Sequence, residues 1–208
     1  SYKLPMKKAI LVAAFLILPV SVYANTWSTQ LVSNLSQYLG VADSASTSIT
    51  GDMTLMGWYR STTAKDSDIV SKWTATGNQR SYLLTQACLS VNQIQFAVDQ
   101  DGTGITQETN NFSYPCSALL SKWEHIAVVY SNSAHTIDLY LNGVLQSRNN
   151  TGSVTGVFNG TSELELSSRN GGTGDYFDGQ MDEVMVWAQA LTQSQIVQYM
   201  NCGVPSPN

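Results

Sequence analysis

Charge is scarce in this chain, and positive charge is scarcest. Only 12% of its 208 residues are Asp, Glu, Lys or Arg, with 10 basic against 15 acidic residues and 2 histidines. Binding to nucleic-acid phosphates or an anionic bilayer needs clustered Lys and Arg, and no such cluster occurs, so both partner classes are excluded. The histidines, His125 and His135, show no metal-ligand spacing, and neither a Gly-x-Ser-x-Gly elbow nor a phosphate-cradling glycine loop appears. There are five glutamates: Glu108, Glu124, Glu163, Glu165 and Glu183. Only Glu163 and Glu165 share a strand face, and residues 166–168 add no third carboxylate. They read as two solvent-facing residues opposite Leu164 and Leu166, and the chain reads as a non-enzyme.

Long apolar runs are also lacking, apart from one near the start. Met6-Lys7-Lys8 forms a basic lead, Ala9 to Pro19 is apolar, and Val22-Tyr23-Ala24 supplies small residues for cleavage. Residues 1–24 therefore read as a few upstream residues, Ser1 to Pro5, followed by a cleavable signal peptide, with an uncleaved anchor as the alternative. The run is short for a membrane span and is interrupted by Pro19. Removing Lys3, Lys7 and Lys8 leaves 7 basic against 15 acidic residues, a net charge near −8. The expected setting is secreted, periplasmic or cell-surface, and the short Lys-Lys leader is of bacterial type. Residues 25–202 read as one domain and 203–208, with Pro205 and Pro207, as a disordered tail.

Cysteine is limited to Cys88, Cys116 and Cys202. An exported chain with three suggests one bridge and one spare thiol, although connectivity is not fixed by sequence and an all-reduced chain stays open. Strand order favours Cys88 with Cys116. Ser81–Gln86 and Gln93–Asp99 read as consecutive strands, and the next, Ile105–Phe112, returns through a turn at Asp101-Gly102. That register sets Ile94 opposite Thr109 or Asn110 and brings Cys116 to the turn holding Cys88. Asp99-Gln100-Asp101-Gly102 looks like the start of a calcium loop, but it lacks the later ligands and reads as a hairpin turn.

What the chain does have is strand alternation. Ile94, Phe96 and Val98 alternate with polar neighbours, as do Ile137, Leu139 and Leu141. Asn142-Gly143 between apolar segments signals a two-residue hairpin, because both positions tolerate positive φ. Met53–Arg60 is apolar on both faces and suits a central strand. In Gly179–Trp187, Met181, Glu183, Met185 and Trp187 alternate against Asp182, Val184 and Val186, which puts Asp182 at the rim of an inner face. Thr192 and Gln195 then form a capping box for a short terminal helix. The expected fold is all-β, a two-sheet antiparallel jelly-roll sandwich with one short C-terminal helix.

Four stretches, in order, resemble the laminin-G-like and pentraxin-like jelly rolls of the concanavalin A-like lectin/glucanase superfamily. They are Ser33–Arg60 with its Asp-Ser-x-Ser loop and Thr54-x-x-x-Trp58 strand, Trp123–Val144 with Trp-x-His and Asn-Gly, Glu163–Asn170, and Gly179–Met200. The resemblance spans Thr26 to Asn201 and implies fold more than function. It raises retaining glycosidases as a possibility to test. These set two carboxylates about 5–5.5 Å apart, and the Glu163/Glu165 pair lacks their full pattern.

Pentraxin-like relatives hold ligand through calcium bound by two loops, here Thr76–Gln79 and Ser168–Gly171. Both lack the acidic ligands, so no pentraxin-type calcium site is expected. Asp182 is the candidate for a structural calcium, as in jelly-roll relatives, with satisfaction by backbone N–H groups as the alternative; no cofactor is required. The same two loops carry Trp73, Asn78, Arg80, Arg169, Asn170 and Tyr176, whose aromatic faces and planar donors suit sugar hydroxyls. The implied partner is a carbohydrate or glycoconjugate, with adhesion to a surface protein as the alternative. Nucleic acid is not a partner, and no membrane span is expected after signal cleavage.

Overall fold

The computed structural model describes residues 9–11, 28–105, 107–112 and 115–201, and Cys202 and the tail lie outside them. Two antiparallel sheets pack face to face. In one, the order is β1 (Ala9–Leu11), β13 (Gly179–Trp187), β4 (Met53–Ser61), β9 (Glu124–Ser131), β10 (Thr136–Leu141) and β11 (Val144–Asn150), with β2 (Thr29–Leu31) also on β13. The other runs β3 (Leu39–Val41), β12 (Leu164–Leu166), β5 (Asp66–Thr74), β6 (Gln79–Ala87), β7 (Gln93–Asp99) and β8 (Gln107–Phe112). This is the expected jelly-roll sandwich, with α1 (Gln193–Met200) following the last strand.

The core forms where alternation turns apolar side chains inward from both sheets. Leu55, Tyr59, Ile126, Val128, Ile137 and Leu139 meet Val70, Tyr82, Leu84, Ile94, Phe96 and Phe112, all buried. Helix α1 closes the outer face of the seven-stranded sheet, packing Ile196 with Met56, Ala127, Val129, Tyr140 and Trp187. Thr192 caps it through the reciprocal bonds with Gln195 that the sequence implied. Asn142 and Gly143 take φ of 47° and 76° and join β10 to β11, as their pairing in sequence implied. β1, within the segment that the sequence suggested as a leader, pairs antiparallel with β13 so that Ile10 opposes Val186.

Two local expectations are corrected. The alternation of Gly179–Trp187 slips at a bulge: Asp182 opposes Trp58 and Met185 opposes Met56, with Glu183 at φ 49°. Met181 therefore joins Val184 and Val186 in the core, while Asp182 falls on the outer face beside Trp58 instead of at the inner rim. Gly57 makes the bulge feasible, since a Cβ there would lie 3.1 Å from the Val184 Cα and 2.8 Å from the Tyr59 hydroxyl.

The second correction is the β7–β8 register, which sets Ile94 opposite Phe112 and Asp99 opposite Gln107. The connection is wider than a turn at Asp101-Gly102 because the buried Asp99 carboxylate accepts the amides of Asp101, Gly102 and Gly104 at 3.0, 2.7 and 2.7 Å. Cys88 and Cys116 still meet and form the disulfide, with Cα atoms 5.4 Å apart.

Candidate functional site

Among the described residues, the one α-helix, α1, packs on the outer face of the seven-stranded sheet and not on the six-stranded one. At the edge of the latter, the Ser168–Asp178 connection folds back on β5 and β12. Asn170, Gly171 and Gly172 are consecutive left-handed residues at φ 57°, 72° and 72°, a run that two glycines make inexpensive. Their curvature points the Gly171 and Gly172 amides at Glu165, whose two carboxylate oxygens accept them, each at 2.8 Å. Glu165 is fully buried, so the expectation of a solvent-facing residue is corrected for it, while Glu163 is exposed. Burial raises the Glu165 carboxyl, and the two amides pull it back down.

A second carboxylate anchors the rest of the loop. Asp68 is 1% exposed, and its amide donates to the Asp175 carbonyl at 2.7 Å. Its Oδ2 lies 3.2 Å from Arg169 Nε, and Arg169 also donates to the Asp175 carboxylate. Burial pushes the Asp68 carboxyl up to about 7, with Arg169 opposing that rise and Asp175 and Glu165 adding to it. Ser71 Oγ holds the Ser168 carbonyl at 2.7 Å, and Phe177 plugs the end of the loop into the core. These bonds hold the loop in one shape.

The sequence-derived candidates separate into two groups. Asn170 joins the two loops, its amide donating to the Trp73 carbonyl at 3.1 Å and its side chain accepting from the Ala75 amide at 2.9 Å. Asn78 is an exposed left-handed turn residue in the neighbouring loop. The Tyr176 hydroxyl donates to the Gly172 carbonyl, so its half-buried ring flanks the left-handed run.

The other three are held by the protein itself. Trp73 is 7% exposed and packs with Leu83 and Ala97. Arg80 Nη1 donates to the carbonyls of Gly102 and Thr103 at 3.2 and 2.7 Å. Arg169 spans the two aspartates.

Sequence reasoning missed Tyr38, which is exposed and lies so close to Gly172 that a Cβ there would sit 2.3 Å from its ring. The Gly171-Gly172 pair was the available signal, since adjacent glycines allow close approach of an aromatic face. Among the described residues, no group of three or more His, Cys, Asp or Glu side chains is disposed to hold a metal ion. Asp182 takes the Glu183 amide at 2.8 Å, and burial pushes its carboxyl up to about 6.

Residues 33–197 match the laminin-G-type family described as the Concanavalin A-like lectin/glucanases superfamily. The chain belongs to that superfamily. No functionally curated protein is detectably similar to it in sequence.

Among solved structures, this superfamily member is similar to the native heptameric SAP-like pentraxin of Limulus polyphemus. The match has 16% identity and a TM-score of 0.57, covering 74% of this chain and 72% of the other. It is also similar to the sialidase CBM40 of Ruminococcus gnavus solved with α2,3-sialyllactose, at 16% identity and TM-score 0.56, covering 78% of this chain and 97% of the other. A third is a botulinum neurotoxin type C chain whose cell entry depends on interaction with two ganglioside molecules. That match has 16% identity and TM-score 0.58, covering 79% of this chain but only 39% of the toxin chain. At such identities these likenesses establish the fold.

Proposed function

We propose that the chain is a non-catalytic carbohydrate-recognition domain that takes its ligand at the Tyr38–Gly172–Tyr176 end of the six-stranded sheet. The observation that carries this reading is the left-handed Asn170–Gly172 run, fixed on buried Glu165 and flanked by two tyrosines. A prearranged aromatic surface with amide and hydroxyl groups around it suits sugar rings, whose faces are apolar and whose edges are hydroxylated. Superfamily membership and neighbours that bind sialyllactose or gangliosides lend support.

Two observations speak for recognition over hydrolysis. Both oxygens of Glu165 are engaged by backbone amides, which leaves Glu163 without a free carboxylate partner on β12. The Cys88–Cys116 bridge supports work outside the cytoplasm, and the leader-like pattern of residues 6–24 fits the periplasm or the cell surface. Among the described residues, no helix is long and apolar enough to cross a membrane.

The test is a glycan array and affinity gel with wild type and Tyr38→Ala, whose exposed ring can be removed without opening the core. Affinity should fall about tenfold, the equivalent of about 1.4 kcal/mol. Full retention of binding would refute this placement, and release of reducing ends from a bound glycan would refute the non-catalytic reading.

A further inference from the structure

We propose that the sugar taken at this loop end is uncharged, a neutral hydroxyl-bearing glycan and not a sialylated or uronate one. The inference rests on the carbohydrate-recognition reading above and adds the ligand's charge.

Recognition of a sugar carboxylate calls for an Arg or Lys free to make a charge-assisted, preferably bidentate contact. The seven Lys and Arg residues from Arg60 onward can be accounted for one by one. Near the proposed site, Arg169 is held between Asp68 and Asp175, and Arg80 is turned onto the Gly102 and Thr103 carbonyls. Lys72 is buried, with Nζ 2.7 Å from Asp43 Oδ1 and 2.6 Å from the Ser162 carbonyl. Lys65 lies in the field of Asp178 and Asp175.

The other three belong to the opposite sheet. Arg148 forms a fork with Asp138, Lys122 pairs with Glu124, and Arg60 Nη1 donates to Gln180. Arg169 and Lys72 are thus already neutralised and Arg80 is turned onto carbonyls, while half-buried Lys65 makes no ion pair among the described residues and faces two aspartates.

The carboxylates near the loops outnumber these cations. Asp175 and the partly exposed Asp43 are matched by Arg169 and Lys72, while the exposed Glu163 makes no ion pair among the described residues. Beneath the loop lies the buried Glu165 carboxylate, held by the Gly171 and Gly172 amides. A bound carboxylate would face these carboxylates with both nearby arginines already engaged and Lys65 set against two aspartates, whereas a neutral sugar would use the same carboxylates and carbonyls as hydroxyl acceptors.

The test compares lactose with sialyllactose, and a neutral with a uronate-containing oligosaccharide, on the whole chain at low and physiological salt. Anionic members should bind on the order of tenfold more weakly than their neutral counterparts, and added salt should narrow the gap. Asp175→Asn should narrow it too, and reading the anionic-to-neutral ratio cancels any common effect on the loop. Equal or tighter binding of the anionic members would overturn the inference and leave the carbohydrate reading intact. Failure to bind any glycan in either set would overturn both.

Discussion

At the scale of single residues, the loop end is organised by buried carboxylates whose partners are backbone amides or an arginine. Glu165→Gln would keep the shape but replace one acceptor with a donor that faces the Gly171 or Gly172 amide. The variant should lose about 1–3 kcal/mol in urea unfolding, the cost of an unsatisfied buried group. Asp68 and His125 make stability depend on pH in opposite senses. Burial raises Asp68 from 3.8 to about 7, so its contribution is complete below pH 3.8 and declines as pH rises through about 7. His125, packed edge-on against Trp58 at 5.3 Å, is lowered by burial from 6.5 to about 4. Its contribution is complete above pH 6.5 and is lost as pH falls through about 4. Unfolding free energy measured across this range should fall at both ends, and Asp68→Asn should flatten the decline on the alkaline side alone.

At the scale of elements, what the sequence revealed depended on whether the pattern was local. The Asn142-Gly143 turn, the Thr192 cap and the β7 alternation are set by neighbouring residues and were legible. The β13 bulge was not, because it depends on Gly57 in another strand leaving room for Val184. Asp182 was consequently assigned to the wrong face. The β7–β8 register was misread for a related reason: Asp99 gathers three loop amides and widens a connection that composition alone presents as a tight turn.

The site was legible in part. Asn170 and Tyr176 stand at the loop end, but Arg80, Arg169 and Trp73 are satisfied within the protein by partners distant in sequence. Gly57→Ala should lower stability by about 1–3 kcal/mol in thermal or urea unfolding, because neither Tyr59 nor the β13 backbone can withdraw freely. An unchanged midpoint would show that the bulge does not depend on that gap.

At the scale of the whole molecule, the sandwich is closed on one outer face by α1 and pinned at the end of β6 by the disulfide, while the loop end of the other sheet is held open and rigid. The Cys88–Cys116 bridge joins residues 28 apart in sequence. Chain-entropy arguments give such a loop about 3–4 kcal/mol, so the doubly substituted Cys→Ser protein should unfold at correspondingly lower urea.

The central claim is that a sugar binds where Tyr38, Gly172 and Tyr176 meet, and amide NMR during titration with a neutral oligosaccharide tests it most directly. Saturable shifts should concentrate at Tyr38 and Asn170–Tyr176, with those on the α1 side unmoved. Shifts centred elsewhere would contradict the account. One such place is the open depression of about 310 Å³ lined by Ser46, Ser48, Thr50, Asp52 and Ala188. A spectrum unchanged by every neutral glycan found on the array would contradict it equally.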